Sequence, residues 1–411
     1  MRRVAVTGVG AVTPVGVGTD AMWDSLVAGG SGVGPITAFS TDGYTVRFAG
    51  CIDEFDPSAV LDSKESRRMS RFQQFAMVAA VEAMEDAGLG AMEGPESERA
   101  GVIVGSGIGG LGLMEEQHTV LLERGPSRIS PTLVPGMIVD LAAGHISIRY
   151  GLRGINYSPV SACATGNHAI GEAFEVIRRG TADVVLAGGF DAGVTPLGLA
   201  GFCAARALST RNDDPQGASR PFDAGRDGFV MGEGGGLLVL EEWERAVARG
   251  AHIRAEVLGY GASADAYHIT APAPDGNGAR RAMCAALQEA GLRPSDVGYI
   301  NPHGTSTPLG DAAETDAIRR VFGAAAPPVS STKSMMGHLL GGAAGVEAVV
   351  CVRALETGVV PPTINYRDPD PACDLDYVPN EARKVDPETA MSNAFGFGGH
   401  NACIVLGRAE R

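Results

Sequence analysis

The chain has 411 residues, 45% hydrophobic and 20% charged, enough to bury a large core as one body or as two fused halves. Its net charge of −15 argues against non-specific nucleic-acid binding, because the electrostatic term would repel a polyphosphate. Fifty-eight glycines and 24 prolines are scattered without a period, and no apolar run reaches the ~18 residues that span a bilayer, which excludes a collagen-like chain and a membrane helix.

Met1-Arg2-Arg3 leads directly into a buried-strand pattern, so no secretory signal is expected and the location expected is cytoplasmic. Short β-branched runs predict strands at Val4–Thr7, Gly101–Val104, Val184–Ala187, Leu237–Leu240, Ala255–Tyr260, Gly298–Asn301 and Ala402–Leu406. Apolar residues at helical spacing predict helices at Phe72–Ala87, Gly166–Arg179, Gly278–Ala290, Thr315–Val321 and Ala343–Leu355. Alternation of this kind implies an α/β fold. Val6-Thr7-Gly8-Val9-Gly10-Ala11 is echoed by Val257-Leu258-Gly259-Tyr260-Gly261-Ala262, which suggests duplicated halves, 1–250 and 251–411.

Gly8–Pro14 and Gly105–Gly110 each follow a strand, as a dinucleotide loop would. Pro14 falls where the fingerprint helix should continue, no acidic ribose partner follows, and neither stretch carries a Walker lysine. Tight turns and close backbone packing, glycine's ordinary uses, are the expectation.

The seven cysteines (Cys51, Cys163, Cys203, Cys284, Cys351, Cys373 and Cys403) are widely spaced, with no Cys-x-x-Cys pair, so neither a disulfide scaffold nor a zinc knuckle is expected. Cys163 stands apart, because Tyr157–His168 reads as an extended segment turning sharply into a helix. A thiol beside a helix N-terminus is favoured as thiolate, so Cys163 is a candidate nucleophile; a buried, inert thiol is the competing reading. His168, one turn into the helix, reads as packing. Downstream, Asn301-Pro302-His303-Gly304 and Ser331-Thr332-Lys333-Ser334-Met335-Met336-Gly337-His338 place two histidines in small-residue loops at the ends of α/β elements. Lys333 is one of only three lysines, against 30 arginines, and lies in an otherwise uncharged stretch. No further ligands at close spacing mark a metal site.

Taken together with Ser219–Asp223, Arg226–Gly234 and Ser392–Asn401, these motifs resemble, end to end, the β-ketoacyl-[acyl-carrier-protein] synthase II family of condensing enzymes. The resemblance implies a thiolase-like fold of two duplicated halves in an αβαβα arrangement, and a likeness to homodimers. It implies decarboxylative condensation of a Cys163-bound acyl chain with malonyl carried on the phosphopantetheine of acyl carrier protein, with no required cofactor. His303 and His338 would hold the malonyl thioester oxygen. Lys333 and Glu314 would support them, and the N–H groups of Cys163 and Phe397 would form the oxyanion hole.

Ile108, Phe202, Thr270, Thr305, Thr307 and Phe397 would contact substrate. Lys64, Arg67, Arg68, Arg71 and Arg206 would hold the acidic carrier. Asn301, Glu347, Ser392 and Asn393 match positions around a monovalent cation (K or Na); a buried carboxylate satisfied by amides is the alternative. Three departures from the family pattern, Ser161, Pro302 and Met336, put acyl preference in doubt and leave a polyketide or polyene ketosynthase as an alternative. A non-catalytic chain-length-factor-like subunit would lack the nucleophile. A thiolase would pair it with a second cysteine near the C-terminus, and a cysteine hydrolase would need neither a carrier patch nor a second histidine.

Overall fold

A computed structural model describes residues 1–409; residues 410 and 411, the end of the expected second half, lie outside the described residues. The main elements, in chain order, are β1 (Val4–Thr13), α1 (Arg71–Asp86), β2 (Ala100–Gly105), α2 (Leu111–Arg124), α3 (Leu141–Tyr150), β3 (Asn156–Tyr157), α4 (Thr165–Arg178), β4 (Val184–Asp191) and β5 (Gly234–Glu242). They continue with β6 (Ala255–Ala264), α5 (Asn277–Ala290), β7 (Tyr299–Asn301), α6 (Pro308–Phe322), α7 (Ala343–Thr357), β8 (Thr389–Gly396) and β9 (His400–Arg408). Every strand and helix expected from sequence falls on one of these. The polar run Ser392-Asn393, read only as a motif, proves to lie inside β8.

The strands hydrogen-bond in the order β7-β8-β9-β6-β1-β5-β4-β2-β3. Read outward from the β1–β6 seam, the two arms share one plan. Antiparallel β1-β5-β4 continues into parallel β2 and β3. Antiparallel β6-β9-β8 continues into parallel β7 and then a parallel bridge from Ile300 to Val329. Antiparallel pairing of Val4 with Val257 and of Val6 with Ala255 joins the arms.

The Gly-x-Gly echo has a packing cause. Gly8 and Gly10 lie within β1 rather than in a turn, and a Cβ on either would fall on the carbonyl oxygens of Ala83 and Ala79 in α1. Gly259 and Gly261 meet the carbonyls of Ala286 and Ala282 in α5 in the same way. Each arm therefore lets an outer helix approach its first strand at backbone distance, which only glycine permits. The expected tight turn is absent at Gly8–Gly10; the expected close packing is present.

Helices α1 and α3 cover the first arm's outer face and α5 and α6 the second's, while α4 and α7 touch strands of both arms. The result is five layers. Helix α7, Ala-Ala-Gly-Val-Glu-Ala-Val-Val-Cys-Val at its start, is apolar on all sides, as a helix between the two arms of the sheet must be. Glu347 is the one charge in that run and is 1% exposed, so it requires a buried partner.

Candidate active site

Cys163 sits in a single 3₁₀ turn, Ala162–Ala164, that feeds α4. Ala162 takes φ +50°, a left-handed conformation that costs a non-glycine residue about 1 kcal/mol or more. Thr165 holds the bend: its hydroxyl accepts from the Ser161 N–H at 3.0 Å and donates to the Ala162 carbonyl at 2.8 Å. Gly396, at the end of β8, leaves room for the elbow, since a Cβ there would stand 2.8 Å from the Ser161 carbonyl oxygen and 3.0 Å from the Cys163 nitrogen.

The Cys163 sulfur lies 3.0 Å from His338 Nε2, and the backbone N–H groups of Phe397 and of Cys163 itself converge on it. Burial pushes the thiol up to about 11; those N–H groups and the Lys333 charge oppose the rise, and Asp191 adds to it. Here the structure corrects the helix-start expectation. Desolvation outweighs the turn's favourable field, so the resting group is a thiol that must pass its proton to a base as it attacks.

His303 follows β7. The N–H groups of His303 and Gly304 donate to the two carboxylate oxygens of Glu314, each at 2.8 Å, which fixes the loop onto α6. Burial raises Glu314 to about 7, against the pull of those two N–H groups. His338 is pinned through its backbone, donating to the Val230 carbonyl at 2.7 Å and accepting from Gly232 at 2.8 Å. The rings of His303 and His338 meet edge-on with centroids 5.3 Å apart, and Phe229 backs His338 at 5.4 Å. Burial first, then the Lys333 charge, holds both imidazoles well below 6.5, so both are neutral at pH 7.

Lys333, 1% exposed, forms its ion pair with Glu347 of α7 rather than with Glu314. The two supports act separately: Glu314 holds the His303 backbone, whereas Lys333 supplies charge to both histidines and to Cys163. Glu347, expected beside a cation, is in the first place the counterion of Lys333.

A cavity of about 640 Å³ opens onto these groups. Its walls include Ile108, Phe202, Thr305, Thr307, Glu314 and Phe397, with Arg206 and Thr270 exposed at the surface. The Phe397 loop is tied to the Thr270 segment by the Gly398 N–H, which donates to the Ile269 carbonyl at 2.6 Å. Ser161, Pro302 and Met336 do not line this cavity. Met336 lies in the hydrophobic core, and Ser161 turns its hydroxyl to His168 Nδ1 at 2.7 Å, so acyl preference has to be sought elsewhere. His168 packs edge-on to Tyr260, as expected of a packing residue.

Lys64, Arg67 and Arg68 are exposed on and after a short helix, Ser63–Ser66. Arg71 is exposed as well, with 42% of its side chain open, and in addition carries an inward pairing. Its guanidinium binds buried Glu233 at 2.6 and 2.9 Å and the Ile52 carbonyl at 2.7 Å, which ties this end of the cluster to the core. Around the expected cation position, Asn301 pairs with Ser392 across β7 and β8, and the side-chain oxygens Asn301 Oδ1, Asn393 Oδ1 and Glu347 Oε2 are buried without a donor. Three orphaned acceptors fit a cation better than a self-satisfied amide cluster.

Asp191 escaped the sequence reading, which ended its strand at Ala187. Fully buried at the end of β4, it accepts from the Ser106 hydroxyl and from the N–H groups of Gly107, Ile108 and Gly341 at 2.5, 3.0, 3.0 and 2.6 Å. One carboxylate therefore ties the Ile108 wall of the cavity to the turn after His338. An acid closing the uncharged run Val184–Phe190 was the available signal.

A thiol that can carry an acyl group, faced by two neutral imidazoles that can hold an enolate, defines a condensing enzyme of the thiolase-like class. Comparison with known proteins narrows this. The β-ketoacyl synthase N-terminal domain model matches residues 1–246 and the C-terminal domain model residues 254–367. A 3-oxoacyl-[acyl-carrier-protein] synthase 2 of Synechocystis sp. is 52% identical over 407 residues, covering 98% of each chain. A β-ketoacyl synthase from Burkholderia phymatum superposes with a TM-score of 0.93 at 38% identity over the full length of both chains. A type II polyketide ketosynthase, solved with its acyl-carrier protein and bound to a hexaketide, gives 0.91 at 37% identity, again over both full lengths. The chain belongs to the β-ketoacyl synthase family.

Proposed function

We propose that the protein is a 3-oxoacyl-[acyl-carrier-protein] synthase that extends a Cys163-bound acyl chain by two carbons in fatty-acid synthesis. The observation that carries this is the convergence of His338 Nε2 and two backbone N–H groups on one elbow sulfur, with His303 facing the same cavity. Cys163 attacks the acyl-carrier thioester as its proton is delivered to the departing carrier sulfur, and the tetrahedral oxyanion forms against the N–H groups of Cys163 and Phe397. The carrier leaves as its thiol. Malonyl-carrier then enters with its thioester oxygen between His303 and His338, and C–C cleavage releases carbon dioxide and leaves an enolate. The enolate carbon attacks the Cys163 thioester and expels the thiolate, which is reprotonated. Neutral imidazoles suit this, since each donates an N–H without adding a buried positive charge.

Incubation with an acyl-carrier thioester should add one acyl mass at Cys163, and malonyl-carrier should then discharge it as a 3-oxoacyl product with ping-pong kinetics. Intact-mass spectra showing acylation elsewhere, or none with chains of any length, would overturn the proposal. Identity favours the fatty-acid reading over the polyketide one, at 52% against 37%, and running both kinds of carrier decides between them. Cys403, the residue a thiolase reading would recruit, is buried in β9 and does not line the cavity.

Exposed Lys64, Arg67, Arg68 and Arg206 provide the basic patch for an acidic carrier on a chain of charge −15. Reversing Lys64, Arg67 and Arg68 to glutamate should raise KM for the carrier about 10-fold at low salt, and much less at high salt. An unchanged KM assigns the docking elsewhere.

Strand β3 ends the sheet, and α3, packed against it, exposes Ile148 at 80%. A second copy of this chain is the occupant that would cover this edge, making a homodimer; light scattering at the mass of one chain would exclude it. Asn301, Ser392, Asn393 and Glu347 would hold potassium or sodium, which should then raise the melting temperature where choline does not. The repeated strand plan supports reading 1–250 and 251–411 as duplicated halves. Seven unpaired cysteines, and no helix among the described residues long and apolar enough to cross a membrane, fit a cytoplasmic location.

A further inference from the structure

No metal-ligand spacing is visible along the chain, yet folding assembles one. The Cys163 sulfur and one nitrogen each from His303 and His338 lie within 4.8 Å of one another, brought together from three separate loops. A thiolate with two imidazoles is a donor set that zinc prefers, with Zn–S near 2.3 Å and Zn–N near 2.0–2.1 Å. At tetrahedral angles such bonds set neighbouring donors about 3.3–3.6 Å apart. Cys163 Sγ and His338 Nε2, at 3.0 Å, need only open slightly, and the widest separation needs to close by roughly 1 Å. Among the described residues, His338 Nε2 has the thiol as its partner, and Nδ1 of both rings is buried without one. The ring nitrogens are thus not committed elsewhere. The buried cation nearby, Lys333, is closed against Glu347, which lowers its repulsion of an incoming ion. The cavity supplies space for a fourth ligand.

We propose that Cys163, His303 and His338 form a three-ligand site that binds Zn²⁺ reversibly and switches the enzyme off. Binding forms one Zn–S and two Zn–N bonds, displaces aquo ligands from the ion and releases the thiol proton to solvent, with no change of oxidation state. The ion removes the nucleophile and both hydrogen-bond donors at once. A Cys163 already acylated has no thiolate to offer, so acylated enzyme escapes. Zinc inhibition is therefore competitive with the acyl donor and not with malonyl-carrier.

Cobalt(II) is the probe, added to the full chain in a Cys203→Ser/Cys284→Ser background that removes two more accessible thiols. A thiolate-to-cobalt charge-transfer band, tetrahedral visible absorption and release of one proton per ion are expected. The band should disappear when zinc is added, after alkylation of Cys163 with iodoacetamide, and in the His303→Ala and His338→Ala variants. Zinc should also slow alkylation of Cys163 by ~10-fold or more, reversed by EDTA, because the bound sulfur no longer attacks. A band that survives alkylation, no band in millimolar cobalt, or an alkylation rate indifferent to zinc overturns the site. These readouts are independent of acyl substrate, so they separate failure of the metal site from failure of the condensing reading. Inhibition competitive with malonyl-carrier would overturn the switch even where the ion binds.

Discussion

Replacing Cys163 by alanine is expected to reduce condensation by on the order of 10⁴-fold or more while leaving malonyl decarboxylation measurable. The two half-reactions use different atoms. Acyl transfer needs the sulfur, the His338 nitrogen 3.0 Å away and the N–H groups of Cys163 and Phe397. Decarboxylation needs only donors on the malonyl thioester oxygen, and His303 and His338 keep their anchors in the variant. Glu314 still accepts from the His303 and Gly304 N–H groups, and the Val230 carbonyl still accepts from His338. The enolate then takes a proton from solvent instead of attacking a thioester, and acetyl-carrier accumulates. The measurement is acetyl-carrier against 3-oxoacyl-carrier by mass spectrometry. Equal loss of both products in a variant with unchanged melting temperature would show that the sulfur also takes part in decarboxylation.

Much of this site could be read along the chain, and what could not has identifiable physical causes. Strand and helix positions followed from β-branched runs and apolar periodicity, because burial between layers imposes those patterns. Helices α2 and α3 went unread, since each leaves apolar residues such as Leu122 and Ile148 exposed and so blurs its periodicity. Cys163, His303 and His338 announced themselves through small-residue loops, which a cavity needs. Pairing is another matter. That Lys333 meets Glu347 depends on how α7 packs against the Lys333 loop, which no local pattern shows. The pairing of Arg71 with Glu233, remote in sequence, is one that local charge clustering could not show. The protonation of Cys163 was misjudged for a similar reason: a helix start is local, whereas desolvation is set by the whole surrounding body.

Replacing Lys333 by methionine is expected to remove about 3–5 kcal/mol of stability at alkaline pH and much less near pH 5. Lys333 and Glu347 are each 1% exposed, so methionine leaves a carboxylate buried among the apolar residues of α7 without its lysine partner. Burial already raises Glu347 to about 7 from 4.5 even with Lys333 opposing, and removing Lys333 raises it further. A carboxyl whose folded pKa lies above its unfolded one binds more protons folded than unfolded, so stability falls as pH rises above about 4.5 through the folded value. Thermal unfolding from pH 5 to pH 8.5 should therefore show the deficit growing with pH. Lys333→Met/Glu347→Gln should flatten that dependence without restoring catalysis. Lys333 also holds both histidines low and opposes the rise of the Cys163 thiol, so either variant should move the acid limb of decarboxylation and the alkylation profile of Cys163 to higher pH. A double variant that regains stability and activity together would make Lys333 a purely structural counterion. Stability regained with the pH profiles still displaced identifies it as the group that sets the charge on the catalytic histidines.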